Sequence, residues 1–480
     1  MDINRRKGSK HRILSQEQIQ IVHESTLELL ERTGVQVQCA EAIEVLKQSG
    51  CDVSNARQVK IPRKLVAKAI EAAPKSIQVY DRDGNPALAL QEDTCYYGTG
   101  SDCTHHIDLF SGKRRTTTKE DVGNLARFCD ALPNIDFVMS MGIAYDTPRG
   151  TSFVHQYEAM LLNTKKPVIV TAHGQKDMKT ILDMAAVAIG GLDAVGKQPP
   201  LILYSEPFSP LTHTEMGVAK CLLCCEYGVP FIYIPSPMMG ATGPITYAGT
   251  LVQANAECLS GLVIFQAKYP GAKFIYGGDA TGMDMRHTVY IYSGPEINVL
   301  NVALADLAHF YKLPFFCIAG ATDSKVPDAQ AGIEYALSLY NATLNGCNLI
   351  HDCGYLESGR TSSFESILMA DEIIAFIKHL LKPFEITSET IALDVINEIG
   401  TGKTYLSHRH TLKNLRKDLW FPRFLDRSVF DNWEKAGAKD LRQRLREEAQ
   451  KIQEGHSPPL LPQEISQQIQ LMVQKHIPDV

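Results

Sequence analysis

From about residue 136 to 370 the chain repeats one rhythm. A short, nearly all-apolar run rich in β-branched and aromatic residues ends in Gly, Ser, Asp or His. A longer amphipathic segment follows, and then the next run. The runs are DFVMSMGIAYD (136–146), PVIVTAHG (167–174), LILYSEP (201–207), PFIYIPSP (230–237), KFIYGGD (273–279), PFFCIAGATD (314–323) and NLIHDCGY (348–355). Their starts lie about 30 to 43 residues apart. Short runs without polar alternation suit parallel strands covered on both faces. The intervening segments carry helix signals: Pro295 and Glu296 open one, Asp328 precedes another, and Pro167, Pro230 and Pro314 close helices where strands begin. Repeated βα units with right-handed crossovers give a doubly wound sheet or a closed barrel, and seven of them favour a (β/α)8 barrel. SSFESILMA (362–370) is the candidate eighth strand.

The flanks read differently. Residues 1–135 hold helices near 15–33 and 62–73 and a hairpin turn at Phe110-Ser111-Gly112, so they form an N-terminal extension packed on the barrel. The barrel is placed at 136–385, and 386–480 is a charged, helical C-terminal extension, each extension serving as a lid or an oligomer contact. The composition, 44% hydrophobic and 21% charged over 480 residues with net charge −6, supports a large core and gives no broad basic footprint for nucleic acid. Basic runs at Arg5-Arg6-Lys7 and Lys113-Arg114-Arg115 read as solvated surface. The first twenty residues lack the apolar core of a secretory signal, and no stretch reads as a membrane span. Twelve scattered cysteines then read as reduced and structural, and the protein as cytoplasmic.

Several motifs dissolve on inspection. GTGKT (400–404) is not a phosphate loop, because the position needing glycine is Asn397. Cys221, Cys224 and Cys225 lie in an apolar helix and read as core, with no metal assigned. The strand ends carry more weight, since barrel active sites form there. Tyr145, His173, Tyr204, Glu206, Phe208, Asp279, Asp323, His351, Asp352 and Tyr355 fall at or just beyond such ends. As a set they describe a cavity of aromatic rings suited to a small cation, although carbohydrate or apolar-ligand pockets share the pattern. No side chain reads as a nucleophile with its base.

Six dispersed blocks add a resemblance. YYGTGSDCTHHIDLFSGKRRTTTKEDV (96–122), TAHG (171–174), PSPMMGATGPITYAGTLVQANAECLSG (235–261), YGGDATGMDMRH (276–287), GPEINVLNVALA (294–305) and ATDSKVPDAQAGIE (321–334) stand in the order found in trimethylamine methyltransferases. The chain resembles the branch of that family without pyrrolysine, since every position is a standard residue. The resemblance implies a barrel that binds a methylated amine and a partner corrinoid protein whose reduced cobalt accepts the methyl group. The substrate it implies is a quaternary amine, glycine betaine first, releasing dimethylglycine in one-carbon metabolism. Carnitine and proline betaine are alternatives, and an acid–base barrel lyase or hydrolase and a non-catalytic betaine-binding barrel are rival classes.

No catalytic side chain is needed on that reading. The trimethylammonium head is placed among Tyr97, Tyr204, Phe208 and Tyr355, and the betaine carboxylate against neutral His173 and His351. The glycine-rich blocks 97–101 and 240–244, with Gly98, Gly100, Gly240, Thr242 and Gly277, are expected to face the corrin ring. A homo-oligomer is expected.

Overall fold

The structure is a computed structural model that describes residues 11–478, so Arg5-Arg6-Lys7 lies outside the described residues. Seven parallel strands form one sheet: β1 (Tyr96–Tyr97), β3 (Val168–Val170), β4 (Leu201–Ser205), β5 (Phe231–Tyr233), β6 (Phe274–Gly277), β7 (Phe315–Ile318) and β8 (Leu349–His351). The segment 137–138, β2, closes the ring through parallel bridges from Phe137 to Gly98 and from Val138 to Val168. The result is a TIM-type α/β barrel, with β8 pairing β1 at Leu349–Tyr96 and Ile350–Tyr97.

The seven runs of the sequence all supply staves, but the eighth is corrected. The 362–370 segment is not a strand in the ring, because Ser363 caps the helix Phe364–Leu380 by accepting from Ser366 N at 3.2 Å. Its apolar residues Phe364, Ile367 and Leu368 recur at helical spacing and face the core. The missing stave is Tyr96–Tyr97, which lies ahead of the first run and inside the stretch assigned to the N-terminal extension. The expected hairpin around Ser111 forms, pairing His105–Ile107 with Arg114–Thr116. Arg114 and Arg115 of the basic run are committed to Glu357 at 2.7 Å and Asp121 at 2.6 Å.

Inward and outward positions alternate along each stave. Tyr96, Phe137, Ile169, Ile202, Ile232, Ile275, Phe316 and Leu349 fill the interior. A second hairpin, Ile77–Tyr80 with Pro86–Leu90, adds Ile77, Val79, Leu88 and Leu90 to the same cluster. It enters from the N-terminal end of the strands: Tyr80 N donates to Pro199 O and Arg82 N to Lys165 O, each just ahead of a stave. The bottom of the barrel is therefore plugged by apolar side chains.

The helix Tyr247–Lys268 is long and apolar enough, by length and composition, to cross a membrane, a feature the sequence reading missed. Burial accounts for it, since 83% of its apolar window lies inside the fold. Cys221 and Cys224 are likewise buried core residues. At the C-terminal end, the helix Leu441–Gly455 docks on Phe364–Leu380 through Leu445 and an Arg446–Glu365 ion pair of 3.0 Å. The helix Gln463–Lys475 is clasped to Gln175–Ile189 by His476, which bonds Asp177 at 2.8 Å and Thr180 at 2.9 Å.

Candidate active site

His351 ends β8 as an inward-facing residue, and its buried ring stacks on Phe316 of β7 at 4.0 Å and 16°. Its Nδ1 lies 2.7 Å from Asp352 Oδ1, and its Nε2 lies 3.7 Å from Asp279 Oδ1, beyond the end of β6. Asp352 has a left-handed backbone, φ 72°, which turns its carboxylate back toward the preceding ring. Burial opposes protonation of His351, but the charge and hydrogen bond of Asp352 and the nearby carboxylate of Asp279 outweigh it and push the pKa up to about 10. The ring is therefore an imidazolium at neutral pH.

Aromatic rings and further carboxylates gather above this pair. Tyr204 of β4 lies 6.4 Å from the His351 ring and 5.9 Å from Phe316, and its hydroxyl donates to Glu206 Oε2 at 3.3 Å. Tyr290 and Tyr292 stand 4.8 Å apart, and Tyr355 follows 6.2 Å from Tyr292. The Tyr290 hydroxyl donates to Asp279 O and that of Tyr355 to Ser101 O. Lack of solvation and the charge of Asp279 raise the pKa of Glu206, and burial raises that of Asp279 despite the charge of His351 nearby. Asp102, also desolvated, is pushed up to about 6. Lys220 donates to Ala172 O at 2.8 Å and feels both Glu206 and Asp102.

Of the six residues expected to bind substrate, the structure brings Tyr204, His351 and Tyr355 together. Tyr97 is corrected: it occupies the outward phase of its stave, bonds Thr343 at 3.0 Å and lies under the Lys378 ammonium. Tyr96 takes the inward phase instead. His173 and Phe208 are exposed, and none of the contacts that assemble the cluster involves either. The neutral-donor role of His351 is corrected too, because two aspartates hold it charged.

The glycines divide in the same way. Gly98, Gly100 and Gly277 are buried and do not face outward. A Cβ on Gly98 would sit 2.2 Å from the Phe137 ring, and one on Gly277 2.2 Å from Phe316 O. On Gly100 it would meet Asp352 Oδ1 at 2.0 Å and the Tyr355 ring at 2.3 Å. Close packing inside the barrel thus explains all three. Gly240 is exposed at φ 84° beside Met285 and Ile245, and half-buried Thr242 accepts from Met238 N at 2.9 Å to hold that turn.

Phe316, Tyr290, Tyr292, Asp102 and Lys220 escaped the sequence reading. Tyr290 and Tyr292 are spaced by two in TVYIYSG just beyond β6, so extended backbone would put both rings on one face. That spacing was a usable signal. Asp323 serves as a brace, accepting from Ser358 at 2.6 Å and from Tyr292 N at 3.4 Å.

A closed α/β barrel with buried charge and aromatic rings at the C-terminal ends of its strands is the arrangement of a barrel enzyme. Residues 2–479 match the family described as trimethylamine methyltransferase (MTTB). The chain belongs to that family and is a methyltransferase. It is 35% identical to trimethylamine methyltransferase MttB of Desulfitobacterium hafniense (strain DSM 10664 / DCB-2), with 96% of this chain and 93% of that one aligned. It is 30% identical to the glycine betaine methyltransferase of D. hafniense (strain Y51), over 97% of each. Among solved structures, the Methanosarcina barkeri monomethylamine methyltransferase superposes with a TM-score of 0.55 at 10% identity, covering 93% of this chain and 88% of that one. That likeness concerns the fold.

Proposed function

We propose that this protein takes a methyl group from a small quaternary amine bound in the barrel mouth and delivers it to a corrinoid carried by a partner protein. The observation that supports this reading most is the cluster at the strand ends, where Tyr204, Tyr292 and Tyr355 stand near Glu206, Asp279 and Asp352. Ring faces attract a quaternary ammonium through their quadrupole, worth about 1–2 kcal/mol per desolvated contact. The carboxylates add charge attraction without asking the ligand for a hydrogen bond. Of the two D. hafniense relatives, one is named for glycine betaine, a quaternary amine, and the other for trimethylamine, a tertiary one; both compounds carry three methyl groups on nitrogen.

The corrinoid is a co-substrate brought from outside, and when bound it supplies the nucleophile. The open C-terminal face suits its approach, with Gly240, Ile245 and Met285 exposed on neighbouring loops. This chain's residues bind, orient and exclude water. Loss of a methyl turns the cation into a neutral tertiary amine, so no side chain has to protonate the leaving group. The same loss removes the attraction of rings and carboxylates, so these groups act on affinity and on product release more than on rate. Phe316 and His351 stack beneath Tyr204, with the imidazolium charge held by its aspartates. The chain is read as acting in a homo-oligomer, with the C-terminal arm described below as the contact.

The test mixes the purified protein with a chemically reduced corrinoid and a panel of glycine betaine, carnitine, proline betaine, choline and tetramethylammonium. A change in corrinoid absorbance that depends on both protein and amine is the expected result. No change with any quaternary amine would sink the reading.

A further inference from the structure

We infer that the methyl donor carries no carboxylate: the mouth fits a trimethylammonium group on a neutral tail that donates a hydrogen bond, such as an alcohol. The inference rests on the reading of the mouth as a quaternary-amine site and names the class of amine.

Charge comes first. Four carboxylates converge on the mouth from four elements: Asp102 after β1, Glu206 after β4, Asp279 after β6 and Asp352 after β8. Two cations answer them. His351 is held between Asp352 and Asp279, and Lys220 feels Glu206 and Asp102 while donating to Ala172 O. None of these groups is an arginine, the side chain whose planar fork matches a carboxylate. A ligand carboxylate would enter a site already rich in its own sign.

Hydrogen bonding points the same way. The phenols of Tyr204, Tyr290 and Tyr355 already donate to Glu206, Asp279 O and Ser101 O. Two buried carboxylate oxygens, Asp279 Oδ1 and Asp102 Oδ1, accept no hydrogen bond from the described residues. Among the described residues, Glu206 accepts at Oε2 alone, from Tyr204 at 3.3 Å and Ser236 at 3.5 Å. His351 Nε2, which makes no hydrogen bond with the described residues, faces Asp279 Oδ1 at 3.7 Å, so an anion drawn to it also meets that carboxylate. A hydroxyl tail can fill these acceptors, whereas a carboxylate tail cannot.

Calorimetry on the full-length protein at neutral pH tests this with choline, tetramethylammonium, glycine betaine and 3,3-dimethylbutan-1-ol, the uncharged isostere of choline. Choline is expected to bind at least roughly tenfold tighter than both glycine betaine and the isostere, with tetramethylammonium in between. Glu206→Gln is expected to weaken choline roughly tenfold and to narrow its lead over glycine betaine. Glycine betaine binding as tightly as choline, or tighter, overturns the inference. Methyl transfer to reduced corrinoid, followed in parallel, separates the two failures. Transfer from a tightly bound glycine betaine overturns this inference and leaves the methyltransferase reading standing, whereas no binding and no transfer with any quaternary amine overturns both.

Discussion

A buried imidazole flanked by two carboxylates gains protons on folding, and a buried imidazole among hydroxyls loses them. His351 is the first kind, with its pKa carried up to about 10. Its stabilising charge is fully present below its ordinary value of 6.5 and is lost as pH rises through 10. His213 is the second kind, held at 2.8 Å by both Tyr233 Oη and Ser260 Oγ and pushed by burial down to about 3. The folded state keeps it neutral, so stability falls as pH drops below 6.5 toward 3. The melting temperature should peak near neutrality and decline on both sides. In scans from acid to alkali, His351→Gln should flatten the alkaline limb and His213→Gln the acid limb; limbs unchanged by these substitutions would count against the assignments. Gly100 gives a second test at this scale. A side chain there collides with Asp352 and Tyr355, at a cost of about 1–3 kcal/mol for overpacking. Gly100→Val should therefore lose amine binding and methyl transfer together, whereas a residue that only faced the corrin would lose transfer alone. Parity explains what could be read in advance. Tyr204 and His351 were legible as strand-end residues, but Tyr96 and Tyr97 are both aromatic in one short stave, and only the register decides which turns inward.

Among the elements, the staves were readable wherever the apolar run was long enough to stand out. PVIVTAHG and PFFCIAG announce themselves, while YYG is two paired residues followed by a glycine in a turn-rich stretch, with no apolar run around it. The ring was therefore expected to close after its last strand, and it closes before its first. The loop after β5 makes a separate point. Gly240 sits at φ 84°, where a side chain is strained and meets the flexible tips of Met285 and Ile245 on the outer surface. Gly240→Trp and Met285→Glu should raise the KM for the corrinoid protein severalfold and leave the amine Kd from calorimetry unchanged. An amine Kd that shifts in step would mean the loop belongs to the pocket.

At the scale of the whole molecule, residues 381–440 hold much apolar surface and little core. Phe384, Ile386, Leu406, Leu412, Val429 and Phe430 are all exposed, while Phe424 is the buried anchor of this arm among the described residues. Exposed apolar side chains of this kind suit a protein contact, and the expected occupant is a second copy of the chain. Sedimentation should show an oligomer, and Phe384→Asp with Leu406→Asp and Phe430→Asp should shift it to monomer with amine binding retained. A wild-type monomer would remove the arm from consideration. The plugged floor of the barrel bears on traffic. With the hairpin residues Ile77, Val79, Leu88 and Leu90 filling one end, the mouth serves as both entrance and exit. A large partner seated on that mouth blocks the passage of the small one. On the proposed reaction, the amine would then enter before the corrinoid protein docks, and the demethylated amine would wait until it departs. Excess corrinoid protein should slow turnover at low amine concentration and cease to do so when amine saturates, the signature of a compulsory order imposed by a room with a single door.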